Sequence, residues 1–249
     1  MSQTPAVVAE ARWWGAHLRE VRWQAEFARL LADPVWRGAG VARGNGTPVL
    51  LIPGFLAGDQ SLSVMASWLR RIGYRPRRAG ISFNVACSDI AVERLERVLH
   101  HAHLGSGRRV AIIGHSRGGH FAKALAIRWP GSVSQVISMG AGLDEPFDIS
   151  EPTRLAVEGV RRMVNRRDPE RAARGCFTHS CLCRYAQDYR APFPETVPLT
   201  SLYSKGDGVV RWRSCVVPYA RCVEVTGSHV GLAFNRHAYR EIAHALAAS

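Results

Sequence analysis

The stretch "VAIIGHSRGGHFAKAL", Val110 to Leu125, constrains the fold more tightly than any other part of the chain. Four apolar residues run into Gly-His-Ser-Arg-Gly-Gly, and an apolar-spaced segment follows. A short continuous apolar run bounded by glycine reads as a strand buried on both faces, and the spacing after it reads as a helix. A serine between them, with Gly114 before it and Gly118 after it, predicts a sharp strand-to-helix turn. Side chains at those two flanking positions would collide with the turn, a conflict glycine avoids. The same turn would hold Ser116 in a strained conformation, its hydroxyl above the sheet edge. The free N–H groups and positive end of the helix would point at the same place.

The rest of the chain repeats this alternation. "PVLLIPGF", "RRVAIIG", "SVSQVISMG", "PLTSLYS" and "ARCVEVTG" predict strands, and "YRPRRAGIS" is a candidate second strand, which makes six. Between them lie segments of helical period: Ser61 to Ile72, Ser88 or Asp89 to His100, the stretch after Ser116, and Asn235 to Ala248. Strands alternating with helices predict an α/β fold with a mostly parallel sheet of about six strands flanked by helices. One domain over residues 1–249 accommodates it.

Two segments fall outside the pattern. Residues 1–45 read as a helical N-terminal extension, and residues 145–196 as a cap or lid at the carboxyl edge of the sheet. Within the extension, residues 8–32 fit one helix, with Trp13, Ala16, Trp23, Phe27 and Leu30 on one stripe. Trp14, Leu18, Val21 and Ala25 form a second stripe beside it. Docking on the domain is the plain reading of so wide an apolar face. Peripheral membrane contact is the alternative, because arginines and tryptophans share the helix.

Composition excludes several classes. With 47% hydrophobic and 21% charged residues the chain reads as soluble and globular. No run of 18 apolar residues occurs and no secretory pattern opens the chain, which predicts a cytoplasmic location. The net charge is +13, yet only Lys123 and Lys205 are lysines among 33 basic residues, and the arginines are scattered. No nucleic-acid module accompanies them, so no nucleic-acid partner is expected. Three of the six cysteines crowd into "CFTHSCLC", with His179 among them. Their C-x4-C-x-C spacing does not match zinc knuckles. Free buried thiols and disulfides remain as the main readings.

A serine hydroxyl attacks poorly at neutral pH unless a base takes its proton and an acid orients that base. In a strand–elbow–helix architecture the chain order is serine, acid, histidine. Asp207 follows the fifth predicted strand in "LYSKGDGVV", and His229 follows the sixth in "VEVTGSHVGL". Both would lie at the carboxyl edge beside Ser116. The rivals are Asp144 for the acid, and His115 and His120 for the base. His115 is expected to point away from Ser116, and His120 to line a pocket. Attack on an ester puts negative charge on the carbonyl oxygen, which backbone N–H donors must hold. The N–H groups of Arg117 and of Phe55, in "IPGF", are the candidates for that oxyanion hole.

"LLIPGF", "IIGHSRGG", "YSKGDGVV" and "GSHVGLAFN", in this order, resemble the α/β-hydrolase superfamily, and in particular its small bacterial esterase and triacylglycerol-lipase-like members. The resemblance covers residues 47–140 and 197–248. It implies Ser116 as nucleophile, His229 as base, Asp207 as orienting acid, and Phe55 and Arg117 as oxyanion donors. It also implies a small-molecule or lipid ester substrate, with no metal or organic cofactor required. The Pro-Gly of "IPGF" departs from the commoner His-Gly, and the two appended segments lie outside the shared core. Leu56, Met65 and residues 145–196 are expected to wall an acyl pocket. An acyltransferase using the same three residues, and a binding protein that kept the fold without its chemistry, are the alternatives.

Overall fold

The computed structural model describes residues 17–248. Six strands form one sheet: β1 (Pro48–Ile52), β2 (Arg75–Arg78), β3 (Val110–His115), β4 (Val133–Met139), β5 (Leu199–Tyr203) and β6 (Arg221–Glu224). Their order is β2-β1-β3-β4-β5-β6, and every neighbouring pair runs parallel. Each of the six predicted strands is present. The helices are α1 (Trp23–Ala32), α2 (Ser63–Arg71), α3 (Ser88–Ser106), α4 (Arg117–Arg128), α5 (Glu151–Arg167), α6 (Pro169–Ala173), α7 (Arg184–Arg190) and α8 (Arg236–Ala247).

Alternation along β1 shows how the sheet divides the interior. Val49 and Leu51 join the cluster holding Leu30, Met65, Trp68 and Ile242, from α1, α2 and α8. Leu50 and Ile52 join the opposite cluster, with Val92, Leu95 and Phe121 from α3 and α4. Successive strand residues face opposite ways, so a strand covered on both sides must be apolar throughout. All residues of β1 and β3 are accordingly buried. On the first face the Trp68 ring lies tilted against that of Tyr239, 4.5 Å between centroids, and donates its indole N–H to the Val35 carbonyl at 2.8 Å. Its polar atom is thus satisfied in a fully buried position.

Several expectations need correction. The single N-terminal helix over 8–32 is not observed as such. Residues 8–16, with Trp13, Trp14 and Ala16, lie outside the described residues. His17–Arg22 is a 3-10 turn, and the α-helix begins only at Trp23. Trp23 and Phe27 pack on Phe234 at 5.7 and 5.3 Å, so this stripe docks on the domain. Of the second stripe, Val21 and Ala25 are exposed. Helix α3 runs six residues past His100, ending where Gly107 takes a left-handed φ of 63°. Met65 is fully buried in the core beneath the sheet, and Leu56 is exposed; neither walls the pocket described below.

Between β4 and β5 the chain forms the helices of the cap region, α5, α6 and α7. No residue of α5 is buried, and the helix is laced by Glu151–Arg154 and Glu158–Arg161 pairs one turn apart. Among the described residues no helix is long and apolar enough to cross a membrane.

Candidate active site

Ser116 stands between β3 and α4 with φ 53° and ψ −126°, a backbone region that disfavours side chains. The turn leaves no room around it. A Cβ on Gly114 would lie 2.3 Å from the Gly118 carbonyl oxygen, and one on Gly118 would lie 2.2 Å from that of Ile52. Glycine at both positions is therefore a steric requirement. The Ser116 N–H donates to the Met139 carbonyl at 2.8 Å, which ties the serine to the end of β4.

The next residue along β4, Gly140, has φ 60° and touches the other two candidates. A Cβ there would lie 3.2 Å from both Asp207 Oδ2 and His229 Nδ1. Asp207 follows β5 in a tight turn, its Oδ1 accepting from the N–H groups of Val209 and Val210, both at 2.8 Å. Its Oδ2 meets His229 Nδ1 at 2.7 Å, and both side chains are buried, 2% and 6% exposed. A carboxylate only accepts, so Nδ1 carries the proton and Nε2 of neutral His229 keeps its lone pair. Burial works against the charged ring, but the charge and hydrogen bond of Asp207, with Glu20 beyond, outweigh it and raise the His229 pKa above its ordinary value. The structure thus brings Asp207 and His229 into contact and sets both against the strand end that holds Ser116. No hydrogen bond joins the Ser116 hydroxyl to His229; such contacts are often long before substrate binds.

The rivals fall elsewhere. Asp144 lines the pocket and accepts from the Tyr219 hydroxyl at 3.2 Å, away from His229. His115 contacts His229 rather than solvent. Its ring lies 5.0 Å from the His229 ring, and its Nε2 meets the His229 carbonyl at 2.9 Å. A carbonyl accepts, so Nε2 bears the proton. Burial, helped by the nearby imidazole of His229, pulls the His115 pKa down to about 4. It is a neutral prop at neutral pH.

The turn after β1 abuts the serine, since a Cβ on Gly54 would sit 3.1 Å from Ser116 Cβ. Among the described residues, neither the Phe55 N–H nor the Arg117 N–H donates to any protein oxygen. Sequence reasoning missed what fixes this corner. Asn84 donates its side-chain N–H to the Pro53 carbonyl at 2.8 Å, and its own backbone bonds Leu56 and Ala57. The Arg117 guanidinium bonds Asn84 O and Oδ1 at 3.1 Å, and the Ala86 carbonyl at 2.7 Å. One side chain at the start of α4 therefore clamps the segment that braces the turn after β1. "SFNVACSD" carries no local signal of this, because the partners lie about thirty residues away.

A cavity of about 210 Å³ opens beside Ser116. Phe55, Phe147, Val157, Phe177 and Tyr185 give it an apolar wall, and His120 lines it as expected. Cys87, Cys176, Cys181 and Cys183 line it too. They lie in two pairs, with Sγ–Sγ separations of 3.1 Å (Cys87 and Cys176) and 3.0 Å (Cys181 and Cys183), and all are free thiols. Burial and the neighbouring sulfurs push the Cys183 thiol up to about 12 and Cys176 higher still, so neither is a ready nucleophile. His179 leans on Phe147 and Glu145 instead of joining the sulfurs. Among the described residues no group of three or more His, Cys, Asp or Glu could hold a metal ion.

No protein-family model matches the sequence, and no curated protein matches it. Solved structures do match in shape. A marine microorganism esterase is similar over 82% of this chain and 97% of its own, with a TM-score of 0.55 at 15% identity. A soluble variant of monoglyceride lipase from Saccharomyces cerevisiae is similar over 84% of this chain and 88% of its own, with a TM-score of 0.57 at 14% identity. An extracellular alpha/beta-hydrolase from a Paenibacillus species is similar over 80% of this chain and 96% of its own, with a TM-score of 0.50 at 16% identity. Likeness of this reach, together with the six-stranded parallel sheet and the turn after β3, identifies the fold of this chain as that of the α/β-hydrolases.

Proposed function

We propose that the protein is a serine hydrolase that cleaves carboxylic esters through an acyl-enzyme on Ser116. The buried bond between His229 Nδ1 and Asp207 Oδ2, at 2.7 Å, carries this reading. It fixes the tautomer that leaves Nε2 free to accept a proton, in a loop set against the strand end that holds the elbow serine.

In the proposed reaction, Ser116 Oγ attacks the ester carbonyl carbon as His229 Nε2 takes the hydroxyl proton. The carbonyl electron pair moves onto oxygen, and the N–H groups of Phe55 and Arg117 receive that oxyanion. As the tetrahedral species collapses, the C–O bond to the alcohol breaks and His229 returns the proton to the leaving oxygen. Water then attacks the acyl-enzyme with His229 again as base, releasing the acid and restoring Ser116. Asp207 orients the imidazole and stabilises the imidazolium. The aromatic and aliphatic wall of the 210 Å³ cavity favours an ester with a compact apolar acyl group.

A fluorophosphonate probe tests the reading directly. Wild type is expected to be labelled at Ser116 and to hydrolyse p-nitrophenyl esters with a burst of nitrophenol, whereas Ser116→Ala does neither. Asp207→Asn, which destroys the tautomer preference, is expected to lower kcat by roughly 10³–10⁴-fold. A folded wild type that is neither labelled nor active on short and medium esters would overturn the proposal.

A further inference from the structure

The N-terminal segment reaches the site with two carboxylates, and neither belongs to the three residues discussed so far. Glu20 lies in the 3-10 turn His17–Arg22. Its Oε1 accepts from the N–H of Gly208 and the N–H of His229, both at 3.0 Å, and its Oε2 accepts from the N–H of Val230 at 2.8 Å. Gly208 is the residue after the acid Asp207, and His229 is the base itself. A single carboxylate therefore bridges the loop that carries the acid and the loop that carries the base. Glu26, on α1 and 7% exposed, accepts from the Ser228 N–H and the Ser228 hydroxyl, each at 2.9 Å. The fit is close enough that a Cβ on Gly231 would lie 1.3 Å from Glu26 Oε2. Three successive N–H groups, of residues 228, 229 and 230, thus end on acids some two hundred residues away in the chain.

We propose that Glu20 is a positioning residue that locks the Asp207 and His229 loops in register and supplies a second negative charge to the His229 imidazolium. The assignment rests on the reading of Asp207 and His229 as acid and base. The chemistry asks for a carboxylate here. Its two oxygens offer lone pairs to all three donors, whereas an amide would turn an N–H₂ toward at least one N–H and bring no charge. The groups that act on the His229 ring are Asp207 after β5, Glu20 from the N-terminal turn and His115 at the end of β3. His115 is neutral at neutral pH, so the two carboxylates set the charge balance. Glu26 touches Ser228 and does not act on the ring.

The decisive comparison is the NMR titration of the His229 ring in resting wild type, Glu20→Gln and Glu26→Gln. Glu20→Gln is expected to titrate at least about half a pH unit lower than wild type, because an opposite charge has gone. Glu26→Gln is expected to melt lower yet leave the titration in place, which separates charge from loop packing. In turnover, Glu20→Gln is expected to lose about tenfold or more in kcat, with KM within about twofold, and to move the acid limb of kcat/KM down by the same half unit. A folded Glu20→Gln that titrates and turns over as wild type does overturns the proposal. So does rapid amide exchange at Gly208, His229 and Val230 in wild type, a measurement that needs no variant to fold. Because titration and exchange are read without substrate, an absence of ester turnover in wild type counts against the proposed reaction and not against this role of Glu20.

Discussion

His229 and His115 are neighbours with opposite shifts, and the reason is which group each ring faces. His229 bonds the Asp207 carboxylate, which outweighs the cost of burial, while for His115 burial and the His229 imidazole outweigh the pull of the His229 carbonyl and the Asp207 charge. A base must be deprotonated to work, so a raised pKa moves the onset of activity upward. The acid limb of kcat/KM is expected above pH 6.5, the ordinary histidine value, and a limb well below it would contradict the burial and pairing described here. Stability should follow the depressed histidines. His115 is drawn down to about 4 and His120 to about 3, so between pH 6.5 and those values the unfolded chain binds protons that the folded chain refuses. Stability therefore falls as pH drops through that window, by about 3 kcal/mol from His115 alone. His229 acts in the other direction, favouring the fold below pH 6.5 and losing that contribution as pH rises through its raised value. Urea titrations from pH 7 to pH 4 should show a falling midpoint, and His120→Phe should flatten the decline. The sharp turn at Ser116 and the placement of Asp207 beside His229 were legible at this scale because each residue sits in a short glycine-flanked stretch with a strand before it. Glu20 and Asn84 were not, because their significance lies wholly in partners distant along the chain.

At the scale of elements, the β3–α4 turn is legible for a steric reason. Close backbone approach leaves glycine as the sole fit, and that requirement is written at fixed positions. Two glycine substitutions should separate a required glycine from an incidental one. Gly118→Ala drives a methyl to 2.2 Å from the Ile52 carbonyl oxygen and should cost several kcal/mol or abolish folding. Gly159→Ala, mid-helix in α5 with open space around it, should raise stability by about 0.5–1 kcal/mol. Thermal melts of the two variants check both signs. The elements that misled are those whose limits depend on tertiary contact. Helix α3 continues past the His100–His101–His103 run, with Leu99 and Ala102 buried in the core, and stops where Gly107 takes a left-handed φ. The break between His17–Arg22 and α1 goes with the pull of Glu20 toward the His229 loop, which no helical period encodes.

For the molecule as a whole, the two core clusters on either side of the sheet follow from the alternation of apolar residues, so the layered architecture could be read from the chain. The seating of the appended segments could not, because it depends on ion pairs and hydrogen bonds between remote residues. Arg128 is the clearest case. Its buried guanidinium bonds Glu96 of α3 at 2.7 Å and also Asp188 of α7, with Asp89 at 3.5 Å. The cap helix is thereby latched to the body through a group at the end of α4. Arg128→Met removes the guanidinium those carboxylates share and should cost about 3–5 kcal/mol, read as a lowered denaturation midpoint. Met65 and Leu56 were misplaced for the same reason as the cap: position along the chain does not say which side of a packed layer a side chain will occupy.

One open side of the sheet is β2, whose residues are Arg75, Pro76, Arg77 and Arg78, with the three arginines exposed. Proline offers no N–H to an incoming backbone, and a row of guanidinium groups repels its own copy. A fold whose interior strands are among its most apolar segments thus finishes on a border that refuses to template further strands, so concentration alone should not drive these molecules to stack side by side into fibres.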